Sequence, residues 1–364
     1  MVEILRSADI TVIYDDNLDV TDAVKAVTWS GDINRPFRTF TADINYTITG
    51  QKRALKFEHG REIRFMVDGA EVFRGVVFTA EIDSGGQGFV SAHDENAYLL
   101  KNNVTRKVVN QRASELIREI CAEFDIATGT IADTGYVIPR MLFENRPLYD
   151  VFGAALEMTR EQTGRTFWLY TDGAALQLVE RRQLLIPKVL DASTNIVRAT
   201  YYQTIEEMRN TVHIYGGDND KNPLTALARD RALIDAYGRM QHVEHVDPDL
   251  TQSQIDQLAA QRLAELAVID DEATVTALGD TDYLTGRATY VREPMTEIIG
   301  AYYIVADTHR FEGDLYTVDL TLSATDDLPK FEYTPPAEET RRQASAENFT
   351  GVEAGSGYDW GQHM

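Results

Sequence analysis

The chain has 364 residues, 43% hydrophobic and 26% charged, a length for two or three domains and a composition far from that of a disordered or collagen-like chain. Its 58 acidic and 35 basic side chains give a formal charge of −23, which opposes phosphate and makes nucleic acid and anionic membrane surfaces poor affinity partners. No run is apolar enough for a transmembrane helix, and MVEILRSADITVIYDD carries acidic residues where a signal peptide has its apolar core, so synthesis in a cytoplasm-like compartment and no membrane insertion are expected.

From Val2 to about Leu100 short alternating runs succeed one another: ITVIYD, FTADINYTIT, EIRFMV, VFRGVVFTAEI and GFVSAHD. This period of two predicts antiparallel strands in a small barrel or sandwich. Asp68-Gly69 and Gly85-Gly86 supply tight turns, and Asn34-Arg35-Pro36 breaks the chain.

The period lengthens after Asn103. In QRASELIREICAEFDI the residues Ala113, Leu116, Ile117, Ile120, Cys121 and Phe124 share one helical face. A second helix starts near Pro147 and stops at Gly164, and TFWLYTD and ALQLVERR form a hairpin through Asp172-Gly173. Strands return with IVRATYYQTIEEMRNTVHIYGG. PLTALARDRALIDAYG then reads as helical, as does TQSQIDQLAAQRLAELAVID, which Thr251 caps and whose Ile255, Leu258, Ala259, Leu263, Leu266 and Ala267 line one face. Strands resume from Ala273 to about Ala324.

The expected fold is α+β and mainly β. It comprises a first β-barrel (1–103), an α/β module (104–190), a second barrel (191–330) with a helical insertion at about 224–268, and an extended or disordered tail (331–364). Gly60 and Gly75 in the first β-region and Gly286 and Gly300 in the second bracket similar stretches, which points to repetition of one unit. In the Pro-, Glu- and Gly-rich tail, Phe349, Tyr358 and Trp360 are the candidate anchors for docking on a neighbour.

Motifs of the common enzyme classes are missing: no G-x-S-x-G elbow, no phosphate loop, no H-E-x-x-H. His242-Val-Glu-His245, with Asp247 and Asp249, is the nearest set of metal-ligand types, but its spacing matches no standard site. Asp218 and Asp220 resemble half a calcium loop without its glycine or its bidentate glutamate. Cys121 reads as a buried small hydrophobe, His309 as a satisfied core or edge histidine, and Glu157 and Glu161 as a charged helix face beside Arg160 and Arg165. No catalytic, cofactor or metal residue is assigned.

VTWSGDINRPFRTFTADI at 27–44, VSAHDENAYLLKNNV, RASELIREICAEFDI, RPLYDVFGAAL, IEEMRNTVHIYG, ALGDTDYLTGRATYV and AYYIVADTHRF resemble, in this order, motifs of the XkdQ/YqbQ-type baseplate hub proteins of phage tails and the wider late-control-protein-D group. The resemblance spans about residues 25–325 and omits the tail. It implies a virion structural protein, assembled in the host cytoplasm, with two tail-tube-like barrels per subunit. Three subunits in a ring would adapt a sixfold tail tube to a threefold central spike, with DNA passing through unbound. The implied partners are further copies of the chain, a tube or tube-baseplate adaptor protein, and the spike, with no cofactor. A tail-associated cell-wall hydrolase or peptidase is the alternative, with Cys121 and the 242–249 loop its only candidate residues.

Overall fold

The computed structural model describes residues 8–15, 17–218, 222–247, 250–331 and 333. The chain forms two compact units, one of residues 1–197, 276–292 and 299–364, the other of 198–275 and 293–298. Strands predominate, as the mainly-β reading requires.

Seven strands open the first unit: β1 (Ile10–Tyr14), β2 (Leu18–Asp19), β3 (Val24–Asp32), β4 (Thr39–Asn45), β5 (Glu62–Val67), β6 (Ala70–Ile82) and β7 (Gln87–His93). Their alternation is that of a sheet with one buried face: Ile63, Phe65 and Val67 point inward from β5, and Phe40, Ala42 and Ile44 from β4. Asp68 and Gly69 both take positive φ at the β5–β6 turn, which matches the strands' right-handed twist.

The α/β module follows: β8 (Asn103–Arg112), α1 (Ala113–Glu123), β9 (Thr128–Ile131), β10 (Val137–Pro147), α2 (Leu148–Thr163), β11 (Phe167–Asp172) and β12 (Ala175–Glu180). Leu116, Ile117, Ile120 and Cys121 of α1 pack with Val151, Phe152 and Ala155 of α2 in one core. Gly164, at φ 70°, ends α2 in the left-handed conformation expected of its glycine. The sequence reading missed the ribbon of β8 and β10, because its inward residues, Val104 and Val108 on β8 and Ile138, Met141 and Phe143 on β10, are few and unevenly spaced.

β13 (Leu185–Asp191) leads to β14 (Ile196–Thr204), within which the chain passes into the second unit. There β15 (Thr211–Asp218), β16 (Asn222–Arg229) and β17 (Gln241–His245) form a three-stranded sheet, with α3 (Arg231–Tyr237) after β16 and α4 (Gln252–Leu266) after β17. Thr251 caps α4 in a capping box with Gln254, and Ile255 and Ala259 bury its predicted face against Val212, Ile214 and Ala226. The helical reading of PLTALARDRALIDAYG holds only for its second half. Residues 222–229 are β16, whose Leu224, Ala226 and Ala228 pack inward, and pairing with β15 outweighs the helix propensity of alanine and leucine.

β18 (Asp270–Leu278) carries the chain back, and β19 (Ala288–Glu293), β20 (Ile298–Glu312) and β21 (Leu315–Ser323) complete the fold. β20 pairs antiparallel with β3, so strands from the two ends of the chain share one sheet, ordered β21-β20-β3-β4-β7-β6-β5-β1-β2. β13 and β19 form a parallel pair beside it. Gly60 and Gly286 occupy matching places, each at positive φ just before a strand, with Gly75 and Gly300 inside the strand that follows.

Gly286 is constrained both by its backbone conformation and by its neighbours. It sits at φ 88°, a Cβ there would lie 2.5 Å from Trp168 Cε2, and its carbonyl accepts from the buried Arg181 Nε at 3.3 Å. Gly173, at φ 61°, has open space around it. Gly173→Ala is therefore expected to cost about 1 kcal/mol from backbone strain alone, and Gly286→Ala about 3 kcal/mol or more, because Trp168 must also move. Urea denaturation of the two variants beside the parent chain checks the order.

Candidate functional site

The most unusual chemistry in the first unit is a buried ionic node. Arg38 follows the Asn34-Arg35-Pro36 break and Asp307 lies in β20, 269 positions away. β20 turns Ile304, Asp307, His309 and Phe311 toward the core, so two polar side chains stand among residues that alternation makes apolar. Burial of a carboxylate requires a counter-charge and hydrogen bonds, and Asp307 has both. Arg38 grips it with two nitrogens, Nη1 at 2.8 Å to Oδ1 and Nη2 to Oδ2. Thr285 donates to Oδ1 from its backbone N–H at 2.6 Å and its hydroxyl at 2.7 Å. Burial alone would raise the Asp307 pKa, but the Arg38 charge and hydrogen bonds, with His309, hold it well below the usual carboxylate range.

His309 is fully buried, with Nε2 3.1 Å from the Tyr283 carbonyl and Nδ1 2.8 Å from the Tyr316 hydroxyl. A carbonyl only accepts, so Nε2 carries a proton. The Arg38 guanidinium lies 4.2 Å above the Trp29 ring, and the Trp29 and His309 rings are 4.8 Å apart. His309 is thus a satisfied core histidine, as its strand context predicts.

Asp94 adjoins the node. It accepts from the Arg38 N–H at 2.8 Å and caps the 3-10 turn Glu95–Leu100 through Asn96 N–H at 3.0 Å. Burial outweighs these bonds and pushes its pKa up to about 7. A cleft of about 210 Å³ opens beside it, lined by Glu71, Arg74, Asp94, Asp172 and Arg287 among others. Acids and bases nearly balance there, so the cleft selects neither an anion nor a cation.

The other sequence candidates do not converge. His242 and Glu244 share one side of β17 and Val243 and His245 the other, while Glu244 is engaged by Arg262 at 3.1 Å. Among the described residues no cluster of three or more His, Cys, Asp or Glu could hold a metal. Asp220 and Asp249, and the tail anchors Phe349, Tyr358 and Trp360, lie outside the described residues. Cys121 is buried, which pushes its thiol up to about 12. Glu157 pairs with Arg160 at 2.9 Å.

Two exposed features complete the inventory. β14 begins the hydrogen-bonded strand order, pairs among the described residues on one side only, and exposes Val197, Tyr201 and Tyr202 on a strand whose one charge is Arg198. The opposite end of the order is β2, two residues long. Protected edges are short, charged or broken by proline; β2 fits that description and β14 does not.

The sign of each titration separates the two buried aspartates. Asp307 binds its proton less tightly folded than unfolded, so its contribution is present above about pH 4 and lost as pH falls below it. Asp307→Asn, which leaves the largely buried Arg38 without its counter-charge, is expected to cost about 3 to 5 kcal/mol at neutral pH and progressively less under acid. Asp94 binds its proton more tightly folded, so the parent chain loses stability as pH rises from about 4 to 7. The gap between it and Asp94→Asn therefore moves in the variant's favour over that range and levels off above about 7. Chemical denaturation of the three proteins at stepped pH checks both signs.

The family profile described as YqbQ-like matches residues 27–323. The chain is 30% identical over 307 residues to protein YqbQ of Bacillus subtilis (strain 168), covering 84% of this chain and 93% of that protein. It is 31% identical over 286 residues to the phage-like element PBSX protein XkdQ of the same strain, covering 78% and 87%. The 43 kDa tail protein of prophage MuSo2 from Shewanella oneidensis shares the fold, with a TM-score of 0.64 and 12% identity over 87% of this chain and 98% of that one.

Proposed function

The chain belongs to the YqbQ-like family, and from that membership we propose that it is a structural hub in the baseplate of a phage or phage-like tail, not an enzyme. Three copies form a ring that meets the sixfold tail tube on one side and the threefold spike on the other, and DNA passes through without specific binding. Each copy contributes two tube-like barrels, with the α/β module between them.

The observation that carries this reading is the unequal treatment of the sheet's ends. A lone protein with a nine-residue, weakly charged, open strand is at risk of indiscriminate strand pairing, whereas a subunit of a closed ring uses such an edge in every copy. The fold of a prophage tail protein, and relatives that include a protein of a phage-like element, agree with it. So does the charge. A ring of chains at −23 each, with a share of those carboxylates on its inner wall, repels phosphates within about 8 to 10 Å.

Light scattering with negative-stain imaging tests the proposal. The expected result is a mass of three chains and a ring with a central hole. Val197→Lys with Tyr202→Lys, which adds charge along β14, should return the mass to one chain while the circular dichroism and melting temperature stay near those of the parent. A parent chain that remains monomeric in the presence of its tube and spike proteins would overturn the ring.

A further inference from the structure

The chain does not stop where its last strand does. After Ser323 it runs without a strand partner across the α/β module, anchored by side chains at three points. Asp326 pairs with the fully buried Arg181 at 2.6 Å, and the Asp327 carbonyl accepts from the same guanidinium at 3.3 Å. Phe331 lies on α2 over Gly153, edge-on to Tyr149 with ring centres 5.1 Å apart. Tyr333 meets Phe143 of β10 edge-on at 5.5 Å, and its hydroxyl accepts the Leu142 N–H at 2.7 Å.

The receiving surface is shaped for this segment. A Cβ at position 153 would lie 2.5 Å from Phe331 Cδ1, so only glycine admits the ring. Among the described residues β10 pairs with β8 alone, and Tyr333 satisfies an N–H on it. An extended segment presenting alternate aromatic side chains to a groove beside a strand is a recurrent way of binding a peptide. Here the peptide belongs to the chain itself.

We propose that the segment after Ser323, anchored by Asp326, Phe331 and Tyr333, is an exchangeable arm, and that the groove between α2 and β10 takes Phe331 and Tyr333 of a second copy when copies are held side by side. The inference goes beyond the hub reading and needs only that copies meet. The contacts would be the same in either copy, so what separates the two states is the linkage between arm and groove. Local concentrations in the millimolar range inside an assembly offset much of that difference. Among its described residues the arm makes no ladder of backbone hydrogen bonds, so what exchange must break and remake is its side-chain anchors, of which the pair of Asp326 with the buried Arg181 is the strongest. A terminal segment held by side chains can open locally without unfolding the unit it lies on.

The test uses full-length chains. Cys121 is the single native cysteine and is buried, so introduced thiols react alone. Gly153→Cys and Phe331→Cys placed in one chain bring two sulfurs together and should yield a faster-migrating, internally bridged monomer under oxidation. Copies carrying only Gly153→Cys are then mixed with copies carrying only Phe331→Cys. Exchange predicts a covalent dimer in the mixture well above the level in either variant alone. A bridged double variant together with a mixture that stays monomeric would overturn it, since the arm would then seat only in its own chain. Should the double variant fail to fold, Tyr333→Ala chains are mixed with Gly153→Leu chains, neither of which seats a complete arm alone. Amide exchange at Leu142 is expected to slow on mixing, and an unchanged rate overturns the proposal.

Discussion

The sheet that joins the two ends of the chain depends on one constraint: an aspartate with no access to water must be met by a guanidinium that the chain supplies 269 residues earlier. Asp307 cannot be buried until Arg38 is in place, and Arg38 is held by the turn that Asp94 caps. The pairing of β20 with β3 brings the two ends of the chain together, and the ion pair makes that pairing exacting. A sheet slipped by one residue would turn Asp307 and His309 outward and put Thr308 and Arg310 in their place. Apolar residues alone would tolerate such an error more readily. The node buys register at the expense of acid resistance.

Much of the architecture could be read from spacing. The helices of the α/β module, the hairpin at Asp172-Gly173 and the capped helix at Thr251 declare themselves by apolar period and by the residues that end them. Where inward residues are few and unevenly spaced, as in β8 (Val104 and Val108) and β10 (Ile138, Met141 and Phe143), there is no period to find. Where alanine and leucine fill a strand, as in β16, local propensity points the wrong way and only the neighbouring strand decides.

The node was half legible. Asp307 and His309 fall at inward positions of an otherwise apolar strand, and a polar residue at such a position demands a partner. Nothing local identifies that partner, because Arg38 lies in a loop near the other end of the chain and a loop arginine is ordinarily solvated. The motifs behind the family resemblance do have physical reasons here. Asp94 of VSAHDENAYLLKNNV caps a turn and accepts from the Arg38 N–H. Asn210 of the M-R-N stretch donates to the Gly238 carbonyl at 2.7 Å and accepts from Met240 N–H at 3.0 Å. Ile304, His309 and Phe311 of the late strand are all core residues.

The way the chain enters and leaves its second unit has a different kind of consequence. It goes out along β14 and comes back along β18, and these two strands are neighbours in the hydrogen-bonded order. The intervening segment therefore begins and ends at almost one place, like a loop grown into a body with its own sheet and core. The entropy of closing a loop rises only with the logarithm of its length, so lengthening or shortening the segment between those strands changes the cost of closing it only slightly. The register of the strands on either side is set by their own pairing and would be untouched by such a change.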